Sequence, residues 1–160
     1  LDLLELANDK PALTALHTEA AARFPDSFEV QWRAAFHFID AGLLEAAARH
    51  ARSAIRIAPD RQQGYAILVR CLILEKNYDA LDPLLEQAAA KVPNDGNPLF
   101  QAARELIVQT AEPARAEKYL RRFQTLPPEG FAPSPAVVWW RLGQALAQQN
   151  KIDDARHAFD

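Results

Sequence analysis

Prolines recur along this chain at a fixed interval, because Pro25, Pro59, Pro93 and Pro127 are equally spaced. Asp or Asn follows three of the four. Periods of roughly 20 to 50 residues indicate repeat architectures, in which each unit buries its apolar face against its neighbours. The chain is therefore predicted to form a tandem array, and its function is expected to depend on the surfaces that stacking creates.

Between successive prolines the sequence predicts two amphipathic helices joined by a short polar turn. One unit reads FEVQWRAAFHFIDAG and then LLEAAARHARSAIRIAPD, with apolar residues three and four positions apart, as one buried helix face requires. Proline ends the second helix because it has no N–H and disfavours helical geometry in the residue before it. Capping-box spacing of Asp26 with Glu29, and of Asp60 with Gln63, predicts that these acidic residues cap the next helices.

This pattern resembles the tetratricopeptide repeat, a helical hairpin of the same period. The last unit matches it most clearly, at Trp139, Leu142, Gly143, Leu146, Ala155 and Phe159. The resemblance covers essentially the whole chain and implies an all-α, right-handed solenoid of stacked helix-turn-helix hairpins. Its repeats would be 1–27, 28–61, 62–95, 96–129 and 136–160, the first and last partial, with 130–135 an inserted loop. Because the end repeats are partial, we expect a fragment of a longer array.

The sequence departs from the pattern in one unit and in one junction. In 96–129, the second helix fits best with Ala116, Leu120, Phe123 and Pro128 as its packing set, which predicts a one-residue insertion near 110–112. The other phase would bury arginines, and buried unpaired charge is costly. The segment 128–135 is longer than the other junctions and is predicted to bulge, with Ser134 capping the last hairpin and Pro135 opening its first helix. It is either a surface insertion or a loop that contacts a partner.

Composition excludes several classes of function. A formal net charge of −3 gives no general attraction to nucleic acid or anionic membranes. No segment is apolar for long enough to predict a membrane span. Cys71 is the single cysteine, so it cannot form an internal disulfide, and its apolar neighbours predict a core residue.

No catalytic constellation can be found in the sequence. Four histidines, His17, His37, His50 and His157, are scattered without metal-ligand spacing. There is no phosphate-binding loop, nucleophile elbow or pair of carboxylates. We therefore expect no enzyme activity, no cofactor and no metal site. The family likewise shares no catalytic residue and mostly binds proteins, so the resemblance implies an interaction module.

The resemblance also implies that the first helix of each hairpin lines an inner groove. The predicted partner-binding residues at its outward positions are Trp32, Phe36, Ile39, Arg70, Ile73, Phe100, Arg104, Ile107, Trp140, Arg141 and Gln144. Aromatic anchors beside guanidinium groups are typical of interface hot spots and predict a protein or peptide ligand with apolar and acidic groups. Alternatively, some of these aromatic residues are core residues or are covered by flanking helices. A second basic cluster, Arg115, Lys118, Arg121 and Arg122, is predicted to be a solvated face or a site for an acidic partner.

Chaperone-binding members of the family hold a terminal carboxylate with Lys and Asn where this chain has Trp32 and Phe36, so a more apolar ligand is predicted.

Three functions remain open at this point. The first function is a non-enzymatic scaffold that binds a partner in the groove. The alternatives are the substrate-docking arm of a larger glycosyltransferase or sulfotransferase and a self-assembly module that forms homo-oligomers.

Overall fold

A computed structural model describes residues 9–127 and 133–159. These residues form nine α-helices and contain no strand, so the expectation of an all-α array is confirmed. The helices are α1 (Lys10–Arg23), α2 (Phe28–Asp40), α3 (Leu44–Ile57), α4 (Gln62–Leu74), α5 (Leu81–Lys91), α6 (Asn97–Val108), α7 (Pro113–Gln124), α8 (Pro135–Gln148) and α9 (Ile152–Phe159). A 3-10 turn, Tyr78–Ala80, leads into α5.

The helices form two layers. Four hairpins, α2 with α3, α4 with α5, α6 with α7 and α8 with α9, follow one another, and α1 packs against α2. The backbones of the first helices α2, α4, α6 and α8 also approach one another in succession, whereas those of no two second helices in the described part do so. First helices that lie closer together than second helices place the first helices on the inner side of a curved stack.

The turn inside each hairpin repeats in atomic detail. Gly42, Lys76 and Thr110 recur at the same interval as the prolines and all have left-handed backbone angles, as does Asn150 in the last hairpin. In each case the following N–H donates to a carbonyl five residues earlier, for example Leu43 to Phe38 at 2.8 Å. This is the Schellman arrangement, which satisfies the last carbonyls of a helix. The repeat is therefore present in the backbone hydrogen bonds as well as in the side chains.

The predicted insertion lies in the turn between α6 and α7. Four residues separate these helices, whereas three separate α2 from α3 and α8 from α9. The extra residue leaves Glu112 as a second left-handed residue, after Thr110. Ala116 and Leu120 are buried, and Phe123 packs against the core, so the shifted phase is confirmed.

The helix caps agree with the prediction from the sequence in one place and differ from it in two. Ser134 caps α8 and Pro135 is its first residue, as predicted. The capping predictions for Asp26 and Asp60 are wrong, because α2 is capped by Ser27 and α4 begins after Arg61 with no side-chain cap. The turns after Pro25 and Pro59 are each one residue longer than the capping box assumes. The predicted loop lies mostly in 128–132, outside the described residues.

Small residues allow the helices to approach closely. Ala34, Ala47 and Ala54 are fully buried, and a Cβ on Gly64 would lie 2.8 Å from Cγ1 of Ile55. Interiors packed this densely leave no room for an added methyl group. Cys71 is also in the core, as predicted, and burial, followed by the negative charge of Glu75, raises the pKa of its thiol to about 12. The thiol is therefore protonated and unreactive at neutral pH.

Candidate interaction surface

The inner face consists of the sides of α2, α4, α6 and α8 that the second helices leave uncovered. It carries seven of the eleven predicted partner-binding residues. Phe36 and Trp140 are exposed, each at 48%. Five others are partly buried: Trp32, Arg70, Arg104, Arg141 and Gln144.

Four of the predicted residues lie in the core instead of on this face. Ile39, Ile73, Phe100 and Ile107 are between 1% and 7% exposed. The ring of Phe100 packs against Phe123 of α7, with 5.8 Å between the ring centres. The placement of these four side chains on an open surface is therefore wrong. Phe123 of a second helix covers Phe100. Ile39, Ile73 and Ile107 share one repeat position and are buried in all three repeats, so that position belongs to the core.

An aromatic pair occupies α2. The rings of Trp32 and Phe36 meet edge to face, with their centres 6.5 Å apart. The indole N–H of Trp32 donates to Glu29 at 2.8 Å, and the Arg33 guanidinium lies 5.0 Å from the Trp32 ring centre. These contacts hold the indole in one orientation, which lowers the entropy cost of using it in an interface. The Phe36 side chain next to Trp32 is exposed to solvent.

Arg70 bridges three successive first helices. Its Nη1 lies 3.8 Å from Oδ1 of Asp40 on α2, and its Nε lies 3.6 Å from Oε2 of Glu105 on α6. Glu105 is buried and also accepts a hydrogen bond from Gln109 at 3.0 Å. Two carboxylates already neutralise the Arg70 guanidinium. Arg70 therefore stabilises the array and offers no uncompensated positive charge to a ligand.

Arg141 has different surroundings on α8. Its guanidinium lies 4.6 Å from the ring centre of Trp140, and its Nη1 donates to Oε1 of Gln144 at 3.0 Å. Nε is buried and has no hydrogen-bond partner among the described residues. Burial, and then the positive charge of Arg104, lower the pKa of Arg141.

The second basic cluster is paired within the chain. Lys118 and Arg115 of α7 contact Asp82 of α5 at 2.9 and 3.5 Å, and Arg122 pairs with Glu86. Arg121 contacts Glu117 on its own helix at 2.8 Å. These contacts join consecutive second helices through their side chains. They also neutralise the charge that an acidic partner would need.

Two histidines that are distant in the sequence lie together in the structure. The rings of His17 on α1 and His37 on α2 stack with their centres 4.6 Å apart, and Nε2 of His37 lies 2.9 Å from the Thr14 hydroxyl. Burial, then the nearby His37 and Arg33, lower the pKa of His17. The two histidines lie on different helices and far apart along the chain, so no local signal predicts this contact. In residues 9–127 and 133–159, no group of three His, Cys, Asp or Glu side chains is close enough to hold a metal ion.

Among the described helices, none combines the length and the apolar composition that crossing a membrane requires.

Solved structures share this architecture at low sequence identity. MamA superimposes with a TM-score of 0.67 and 15% identity over 99% of this chain and 91% of that one. TTC0263, a thermophilic TPR protein from Thermus thermophilus, gives 0.66 and 17% over 97% and 82%. The chain has the tetratricopeptide-repeat fold. YrrB, a TPR protein with an unusual peptide-binding site, matches at 0.58 and 18% over 98% and 78%.

Comparison of sequences does not add to this structural similarity. No protein-family model matches the chain, and no curated protein sequence matches it. At identities of 15% to 18%, the similarity to these structures establishes the tetratricopeptide-repeat architecture and does not extend to function. Function therefore has to be argued from the inner face itself.

Proposed function

We propose that this protein is a protein-interaction scaffold whose inner face binds an extended or helical segment of a partner. The observation that carries the proposal is the exposure of Phe36 and Trp140 on first helices. Large aromatic side chains dominate interface energetics because they bury much area with few rotatable bonds. The peptide-binding site of YrrB, on the same fold, supports this assignment.

The binding surface is narrower than the eleven residues predicted from the sequence. Trp32, Phe36, Arg104, Trp140, Arg141 and Gln144 remain available to a ligand. Arg70 is excluded because Asp40 and Glu105 already pair with it. Apolar anchors on α2 and α8 lie at opposite ends of the stack of first helices, so the ligand is expected to run across α4 and α6.

The experiment is a selection of short random peptides on the wild-type protein, followed by affinity measurements on variants. The Phe36→Ala, Trp140→Ala double variant is expected to lose most of the affinity, because truncating a hot-spot aromatic costs about 2 kcal/mol or more. Phe24→Ala is the matched control, since Phe24 is 50% exposed but lies after α1, away from the inner face. Equal binding by the double variant and wild type would contradict the proposal.

The other two functions predict different outcomes. A self-assembly module should increase in mass with concentration in light scattering, with no peptide present. A docking arm should bind the acceptor substrate of an attached transferase domain in preference to random peptides. Neither has an observation in the described residues that favours it over partner binding.

A further inference from the structure

Helix α1 has one described neighbour, because it contacts α2 and no other helix of residues 9–127 and 133–159. Within Lys10–Arg23, the one buried residue is Ala21. Terminal units of a repeat array contact a single neighbour and open at a lower free-energy cost than units inside the stack. Helix α1 can therefore leave α2 while the hairpins that follow stay folded.

Two imidazole rings meet in the interface between α1 and α2. The rings of His17 and His37 are stacked, with 4.6 Å between their centres and 21° between their planes, and both side chains are partly buried. The Thr14 hydroxyl donates its single hydrogen to the carbonyl oxygen of Lys10 at 2.8 Å. Its oxygen therefore accepts the hydrogen bond from Nε2 of His37, at 2.9 Å. A neutral His37 thus carries its hydrogen on Nε2, and acid adds the second one on Nδ1.

A second polar contact joins α1 to α2 and is insensitive to acid. The amide nitrogen of the buried Gln31 donates to the carbonyl oxygens of Ala21 and Phe24, at 3.2 and 3.3 Å. The amide oxygen of Gln31 accepts from Nδ1 of His50 on α3 at 2.8 Å. Nδ1 keeps this hydrogen when His50 is protonated, so the bond survives a fall in pH. The stack of His17 and His37 is therefore where acid acts directly on the docking of α1.

The charged groups that act on His17 are basic. Burial, then the charges of His37 and Arg33 on α2, lower the pKa of His17. Two imidazolium rings in stacking contact repel each other, and Arg33 adds a third positive charge. Protonation of both rings at once is therefore opposed while α1 is docked.

The carboxylates of the two helices do not offset this charge. On α2 they already have basic partners, Glu29 with Arg33 and Asp40 with Arg70, each at 3.8 Å. The other charged side chains of α1 are exposed, namely Lys10, Glu19 and Arg23.

We propose that His17 and His37 form an acid-sensitive switch, in which protonation of both rings separates α1 from α2 and uncovers the side of α2 that carries Gln31. A histidine that is harder to protonate while α1 is docked favours docking above the free pKa of about 6.5 and loses that effect as the pH falls below it. Most carboxylates, by contrast, remain ionised down to about pH 5. Docking of α1 should therefore weaken between about pH 7 and about pH 5.

The test is amide hydrogen exchange followed by NMR on the whole chain, with each observed rate compared with the intrinsic rate at the same pH. Protection of α1 amides is expected to fall about tenfold or more between about pH 7.5 and about pH 5, because a difference of one pKa unit changes the docking equilibrium tenfold. Amides of α4, inside the stack, should change much less. Equal protection of α1 at the two pH values would overturn the proposal.

Substitutions at His17 separate the charge from the ring. His17→Phe keeps a ring over His37 but cannot be protonated, so α1 should stay protected at about pH 5. His17→Lys carries a permanent charge and should lower the protection of α1 already at about pH 7.5. Wild-type protection of α4 in each variant shows that the array is folded. An acid response of α1 in His17→Phe as large as that of wild type would show that the pair is not the sensor.

Three further variants locate the response. His37→Gln keeps a donor for Thr14 and removes the other titrating ring, so it should lose the response independently of His17→Phe. His157→Asn, exposed on α9, is the matched control for loss of a histidine and should respond as wild type does. His50→Gln should also keep the response. Its loss in His50→Gln, with retention in His37→Gln, would assign the response to the Gln31 contact and overturn the proposal.

Discussion

Arg70 and Glu105 form an ion pair between consecutive first helices, with Nε of the arginine 3.6 Å from Oε2 of the glutamate. The Glu105 side chain is 9% exposed and that of Arg70 is 24% exposed. Charges this far removed from water depend on each other, because either one alone would be buried without compensation. The pair therefore belongs to the framework of the array.

The first prediction follows from this dependence. Arg70→Ala should lower the free energy of unfolding by about 2–3 kcal/mol, because it leaves Glu105 buried without its cation. The double variant Arg70→Met, Glu105→Leu should recover most of that loss. Urea denaturation measures both, with Arg33→Ala as control, since the exposed Arg33–Glu29 pair should contribute less than about 1 kcal/mol. If Arg70→Ala leaves the free energy of unfolding unchanged, Glu105 does not depend on Arg70.

The second prediction separates aromatic residues that share one repeat position. Phe100→Ala should cost about 3–5 kcal/mol, because its ring is buried against Phe123. Trp140→Ala, at the equivalent position on α8, should change the free energy of unfolding by less than about 1 kcal/mol, since the indole is half exposed. Thermal unfolding of the two variants tests the distinction. Similar destabilisation by both would mean that Trp140 is a core residue.

The third prediction concerns backbone strain at Thr110. This residue has a φ of 52°, a left-handed conformation that β-branched residues rarely adopt. Thr110→Gly should therefore stabilise the protein by about 1 kcal/mol. Gly42, at the same repeat position, has a φ of 77°, and no atom lies within 4 Å of the place where its Cβ would be.

The reverse substitution at Gly42 is the control. Gly42→Ala should destabilise by about 1 kcal/mol through backbone conformation alone, since the added methyl group meets nothing. Chemical denaturation of both variants gives the two changes. Changes of the same sign would contradict the equivalence of the two turns.

The fourth prediction is a pH dependence caused by Glu117. Burial opposes its ionisation, but hydrogen bonds from Lys151, Arg121 and Gln149 outweigh that effect and lower its pKa from 4.5 to about 2. A lowered carboxyl pKa contributes stability above the unfolded-state value and loses it as the pH falls through the folded-state value. Wild type should therefore lose about 1–2 kcal/mol through this residue between about pH 5 and pH 2.

Glu117→Gln isolates that contribution. The variant should be less stable than wild type at pH 7 and should approach it near pH 2, where the wild-type carboxyl becomes protonated. Glu19→Gln, an exposed substitution on α1, serves as the control for loss of one negative charge. A constant difference between Glu117→Gln and wild type across the pH range would show that the ion pairs do not cause the effect.

The repeat made most of the fold predictable from the sequence. The interval between prolines located each hairpin, and the shift of Ala116 and Leu120 located the extra residue in the α6–α7 turn. Such features are visible because each is a local pattern repeated along the chain. The capping residue at Ser27 was missed because the turn after Pro25 is one residue longer than the capping box assumes.

The inner face was less predictable from the sequence than the fold. Ile73 and Phe36 both occupy outward positions of a first helix in the sequence pattern, yet one is 1% exposed and the other 48%. The two residues stand at different repeat positions, and the position of Ile73 is buried in the neighbouring repeats as well, at Ile39 and Ile107.

The central claim is that a partner binds the inner face, and side-chain footprinting with hydroxyl radicals tests it most directly. Reactivity is measured with and without a peptide selected on the wild-type protein. Phe36 and Trp140 are predicted to lose reactivity on binding, whereas Leu16 and Phe24, which are equally exposed on or beside α1, should keep theirs. Protection of Leu16 and Phe24 with Phe36 and Trp140 unchanged would contradict the claim and place the binding surface outside the first helices.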